Sequence, residues 1–182
     1  MADDEWGEGL IGFCWAETGS ALLVQQSQRL RCFAVGSELV ETDTVTMAAA
    51  DLVGFGHAAG DWWLCTRSAE GVFHQRGLHG QAAGLAGVTP GQVSRASVSP
   101  DGQTLACVVA GNTVAFWALT TGEKCFGIRV EPEGEAAIFG PASVDEIRWS
   151  ADSRHLVIRA GDPLESLFVI DVAGQRLLGS ID

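Results

Sequence analysis

The histidines and cysteines are the first side chains to test for chemistry. Cys65, His74 and His79 lie near enough in the chain to be imagined around a metal ion. Their spacing follows none of the patterns used by tetrahedral zinc sites, and a single Cys or His in an apolar run is ordinarily a packed side chain. Gly54-Phe55-Gly56-His57-Ala58-Ala59 has the outline G-x-G-x-x-A of a dinucleotide loop. Such a loop needs a helix behind it and an acidic residue about twenty positions on. Here Gly60-Asp61-Trp62-Trp63 follows, and position 74 is a His. Asp152, Ser153 and His155 are the residue types of a hydrolytic triad, but they crowd into one turn, where Asp ordinarily bonds its own backbone. Neither G-x-x-x-x-G-K nor G-x-S-x-G occurs. The sequence therefore predicts no enzymatic activity, no cofactor and no metal.

Residues suited to contact are easier to find. Adjacent Trp62 and Trp63 would point to opposite faces of a strand, so one of them is a candidate interface anchor. Trp6 in the acidic N-terminal stretch is a second candidate. Ile138 and Phe139, which follow the acidic run Glu131-Pro132-Glu133-Gly134-Glu135, are a third.

The elements that must position these residues repeat. A short apolar run, a tight polar turn, a second apolar run, a Gly or Asn turn, a third run and a charged turn recur four times. The clearest turns are Ser99-Pro100-Asp101-Gly102 and Ser150-Ala151-Asp152-Ser153. In the first, Pro presets φ, Asp bonds the local backbone and Gly takes the φ > 0 position. Aligned on the apolar residue before the first turn, Trp15, Phe55, Val98 and Trp149 fall in register, at spacings of 40, 43 and 51 residues. A period near 40–45 with four strand-sized runs predicts the blade of a propeller. Approximate blades are 10–45, 50–88, 92–130 and 143–180, in one domain over 1–182. In the second unit, Gly77 to Gly91 reads as a loop or a weak outer strand. Leu105-Ala106-Cys107-Val108-Val109 is apolar on both sides, as a strand sandwiched between layers must be. The fold class is all-β: four blades of four antiparallel strands, a partial or oligomer-completed β-propeller.

Two segments, SVSPDGQTLACVVAGNTVAFWALTTGEKCFGI and IRWSADSRHLVIRAG…LFVIDVAGQRLL, resemble the WD-repeat family over about the last ninety residues. The first two units share only the pattern. The repeats are degenerate: Ala118 follows Phe116-Trp117 where the family has Asp, Asp171 follows Ile170 rather than Trp, and the upstream Gly-His pair is absent. The resemblance implies a non-enzymatic scaffold for protein–protein interaction, a subunit of a multiprotein complex. The alternative is an accessory propeller of a peptidase or hydrolase, or a small-ligand binder, with the catalytic part on another chain.

Charge narrows the partners. The net charge is −12, and Lys124 is the sole lysine. Such a surface repels phosphate backbones and anionic lipid, so neither nucleic acid nor membrane is an expected partner. No apolar run approaches a membrane span, and the N-terminus has no secretory pattern. Five unpaired-looking cysteines in strand runs suit a reducing, cytoplasmic setting. Closed WD-type rings usually hold more blades than four. An open arc would bare apolar blade faces, expected at Trp15–Leu22–Val24 and Ile147–Leu156–Ile158. A homodimer closing one eight-bladed ring, ring completion with a different polypeptide, a self-closed four-bladed ring and a fragment of a longer propeller are the expected alternatives.

Overall fold

Strand-length apolar runs separated by five-residue turns leave little room for helix, and among its described residues the computed structural model contains only strands and the turns and short connections between them. It describes residues 10–26, 29–46, 52–78, 90–109, 112–131, 143–160 and 166–181. The first sheet holds β1 (Leu10–Trp15), β2 (Ala21–Gln26), β3 (Arg29–Val35) and β4 (Leu39–Thr46) in chain order. The second holds β5 (Leu52–Ala58), β6 (Asp61–Arg67) and β7 (Phe73–Gly77). Most of the segment read as a loop or weak outer strand, residues 79–89, lies outside the described residues. The third sheet is β8 (Val93–Val98), β9 (Thr104–Val109), β10 (Thr113–Ala118) and β11 (Lys124–Arg129). The fourth is β12 (Val144–Trp149), β13 (His155–Ala160), β14 (Ser166–Asp171) and β15 (Arg176–Ile181). All pairings are antiparallel.

The sheets stack face to face as blades. The first strands touch in series, β1 on β5, β5 on β8 and β8 on β12, and among the described residues no contact of similar extent returns from β12 to β1. Among those residues the arc is open. Each gap between sheets carries its own core. Leu23, Leu30 and Cys32 meet Leu64 across the first gap. Trp63, Cys65 and Phe73 meet Val98, Leu105, Cys107 and Trp117 across the second. Ala106, Val108, Val114 and Phe116 meet Ile147, Leu156, Ile158, Phe168 and Ile170 across the third. Strand β9, buried on both faces along Leu105–Val108, is the sandwiched strand that its sequence predicts.

Two sequence expectations need correction. Each first strand carries a bulge near its start, at Leu10/Gly12, Leu52/Gly54, Val93/Arg95 and Val144/Glu146. Counting from the bulge, the residue equivalent to Trp15, Val98 and Trp149 is His57, two positions beyond Phe55. The second unit replaces the five-residue turn with a two-residue hairpin at Ala59-Gly60, both at positive φ (53° and 84°), which pushes its strand end outward. The second correction concerns Ile147, Leu156 and Ile158. They are buried against the third sheet rather than bared at the end of the arc. An apolar strand side does not say which neighbour it faces, and here the previous blade covers it.

Candidate interaction surface

The turns predicted from sequence form as a repeated device. Ser99 Oγ accepts from the Thr104 N–H at 2.9 Å and donates to Asp101 Oδ1, which itself accepts from the Gln103 N–H. Ser150 Oγ accepts from the His155 N–H at 2.9 Å and donates to Asp152 Oδ1, which accepts from the Arg154 N–H. These bonds hold the Asp152 carboxyl below its ordinary range, the Ser150 hydroxyl first among the causes. Exposed Pro100 and buried Gly102 complete the first turn, with Gly102 at φ +73°. Ser153 takes that position in the fourth unit at φ +60°, and its Oγ accepts from the Asp101 N–H at 3.0 Å across the sheets. The hydroxyl of Ser153 is thus a bridge between blades. Asp171 accepts from the Gly174 N–H and lies near Arg176, so it closes the β14–β15 turn.

Trp62 and Trp63 do face opposite ways, and both are spent inside the arc. Trp63, 8% exposed, fills the second gap. A Cβ at Gly56 or at Gly102 would lie within 3 Å of its indole, so the ring is wedged between two glycines of neighbouring blades. Half-buried Trp62 packs edge-on against His57 (centroids 4.8 Å apart) and faces the first blade. Neither is left as a strong partner anchor, because inter-blade packing has taken its surface. Trp6, Ile138 and Phe139 lie outside the described residues.

Among the described tryptophans, Trp15 has the most free surface. It is 49% exposed on β1, beside Phe13 at 61% and Ile11 at 60%. Trp15 pairs Leu22 and Phe13 pairs Val24 on the same side of the sheet. Further along that face, Arg31 lies over the Phe33 ring and forms a salt bridge with Glu41. The Arg31 hydrogen bond holds the Glu41 carboxyl below its ordinary range. Phe13 was not singled out by sequence. The bulge at Leu10/Gly12 sets the strand phase, and it leaves no residue signature. At the other end of the arc, Leu167 and Ile181 are exposed, and Arg148 and Arg159 both reach Glu146.

The described residues show little that resembles a reactive centre. No three His, Cys, Asp or Glu side chains come together among them, and His79 lies outside them. A cavity of about 730 Å³ is lined by Arg67, Arg95, Ser94, Ser143 and Asp145, with no nucleophile–base pair bonded across it. All five cysteines are free. Burial pushes the Cys65 and Cys107 thiols up to about 12, against an ordinary value of about 8.5. With the folded pKa raised, their share of stability is present below the unfolded value and lost as pH rises toward 12. At pH 8, a thiol reagent is expected to modify exposed Cys125 promptly and Cys65 and Cys107 only after unfolding. Labelling followed by peptide mass spectrometry checks this, and prompt modification of Cys107 would contradict the packed second gap.

No family model matches the sequence, and no curated protein matches it. Solved structures do. The chain superposes over 91% of its length on 50% of Kluyveromyces lactis Hsv2p, with a TM-score of 0.55 and 17% identity. It superposes over 98% on 52% of a chain in the crystal structure of a mitotic checkpoint complex, with a TM-score of 0.60 and 16% identity. It superposes over 96% on 60% of the β-propeller domain of Myceliophteria thermophila Cps50 (Swd1), with a TM-score of 0.61 and 11% identity. The chain thus spans between half and three-fifths of these chains. At such identities the likeness speaks for the fold: the chain is a partial β-propeller built of WD-repeat-like blades.

Proposed function

We propose that the chain is a non-enzymatic protein–protein interaction scaffold that works as a subunit of a multiprotein complex. The observation that carries this reading is the bared apolar face of the first blade, Phe13 and Trp15 above all. A large aromatic on a rigid strand gives contact area at low entropic cost, and such residues dominate interface energies. Exposed apolar patches on a folded frame mark sites of association. A structural neighbour drawn from a mitotic checkpoint complex supports the reading at the level of class.

The experiment is affinity purification from native extract with the wild-type chain and with a Phe13→Asp/Trp15→Asp variant. The wild type is expected to retain a stoichiometric protein, of the same or another sequence, and the variant to lose it. Equal retention by both, or hydrolysis of generic ester and peptide substrates by the pure wild-type chain, would overturn the reading.

A further inference from the structure

The gaps between blades share one polarity. Counted from the bulges, Trp15, His57, Val98 and Trp149 are equivalent, as are Leu22, Trp62, Leu105 and Leu156, and Val24, Leu64, Cys107 and Ile158. In the second, third and fourth blades these positions pack against the preceding blade. The first blade presents the same face with nothing before it among the described residues. The opposite face has a matching series. Ala106, Val108, Val114 and Phe116 of the third blade lie buried beneath the fourth. Their equivalents in the fourth blade are Val157, Arg159, Leu167 and Val169, and none of these is buried. The arc therefore ends in a receiving face on one side and an offering face on the other.

We propose that the two faces belong together in trans: the fourth blade of one chain seats on the first blade of a second copy, and two copies close one eight-bladed ring. The inference rests on the interaction reading above and names its partner. A second copy is favoured because this chain already owns both faces. Two copies related by a two-fold axis satisfy all four open faces at once, a head-to-tail contact that closes instead of running on as a filament. Eight blades also lie within the range that propellers use.

The third gap supplies the contact by analogy. There Trp149 stands edge-on to Phe116, centroids 6.1 Å apart, and its indole N–H points at the Ser97 carbonyl at 3.4 Å. The equivalents across the new joint are Trp15 on one copy and Val169 and Arg148 on the other. Trp15 then finds the Arg148 carbonyl as acceptor. The Arg148 guanidinium, held by Glu146 at 2.7 Å, lies beside the ring as a cation–π partner. Ionic strength enters as well: each copy carries −12, so their mutual repulsion weakens as salt screens it.

Light scattering of the purified chain at two concentrations tests the proposal. The expected mass is twice 19.1 kDa, falling to 19.1 kDa in Trp15→Asp and, independently, in Leu167→Asp, with circular dichroism unchanged in both. A mixture of a Trp15→Cys chain and an Arg148→Cys chain, each with Cys14→Ala and Cys125→Ser, is expected to give a covalent dimer joined 15 to 148 on oxidation. A wild-type monomer at both concentrations, a dimer that survives both Asp variants, or a disulfide joining 15 to 15 overturns it. A monomer that holds a different protein through the Trp15 face would end the second-copy proposal and leave the interaction reading standing.

Discussion

Phe116→Ala is expected to lower the unfolding free energy by about 3–5 kcal/mol, the usual cost of emptying a buried aromatic site. Phe116 is fully buried on β10, facing the fourth blade. Its ring stacks on Phe126 at 4.2 Å and meets Trp149 edge-on, so truncation removes two aromatic contacts along with the buried area. The site cannot easily collapse. Phe116 stands beside Ala106 of β9 in its own sheet and faces Leu156 and Ile158 of the next, and both sheets are held by full antiparallel ladders. Phe13→Ala in the monomeric Leu167→Asp background is the control: the same chemical change at a position exposed in the single chain should shift stability by no more than about 0.5 kcal/mol. Urea denaturation followed by tryptophan fluorescence measures both. Similar small losses at the two positions would mean that the third and fourth blades are not packed as described.

The contrast between those two phenylalanines shows what the sequence could and could not reveal. Both lie in apolar runs of the right length, and strand positions were legible from the runs and the turn residues. The Ser99–Gly102 and Ser150–Ser153 turns were legible because each residue has a local task that hydrogen bonds satisfy within six positions. What fixes a residue as core or surface is a relation between sheets, and that relation is non-local. Ile147, Leu156 and Ile158 read as a bare end face until the third blade is placed over them. Trp62 and Trp63 were separable by strand alternation, yet alternation does not say that blades wait on both sides. His57 took the Trp15 position only because the Ala59-Gly60 hairpin lengthens β5, a shift of two residues that preserves the apolar alternation and so hides in it.

Glycine substitution separates turn strain from blade packing. Gly19 and Gly102 occupy equivalent turn positions, at φ +70° and +73°. A side chain at either must adopt the left-handed region, which costs an ordinary L-residue about 1–2 kcal/mol. Around Gly19 an added Cβ would meet nothing within 4 Å, so Gly19→Ala should cost about that strain and no more. At Gly102 the added Cβ would come within 2.8 Å of both Trp63 Nε1 and Gln75 Nε2. Gln75 cannot retreat freely, because its Nε2 donates to the Gly102 carbonyl at 2.5 Å. The indole is confined on its other side by Gly56. Overpacking of this kind costs roughly a further 1–3 kcal/mol, so Gly102→Ala is expected to lose about 2–5 kcal/mol in total. The excess over Gly19→Ala measures the joint between the second and third blades. Trp63→Phe, which removes the part of the ring with the unbonded Nε1, should recover part of that excess in the Gly102→Ala background. Denaturation of the single and double variants gives the coupling directly. Equal losses at Gly19 and Gly102, with no coupling to Trp63, would mean that the turn is strained but not packed, and that Trp63 is not the wedge that locks two blades together.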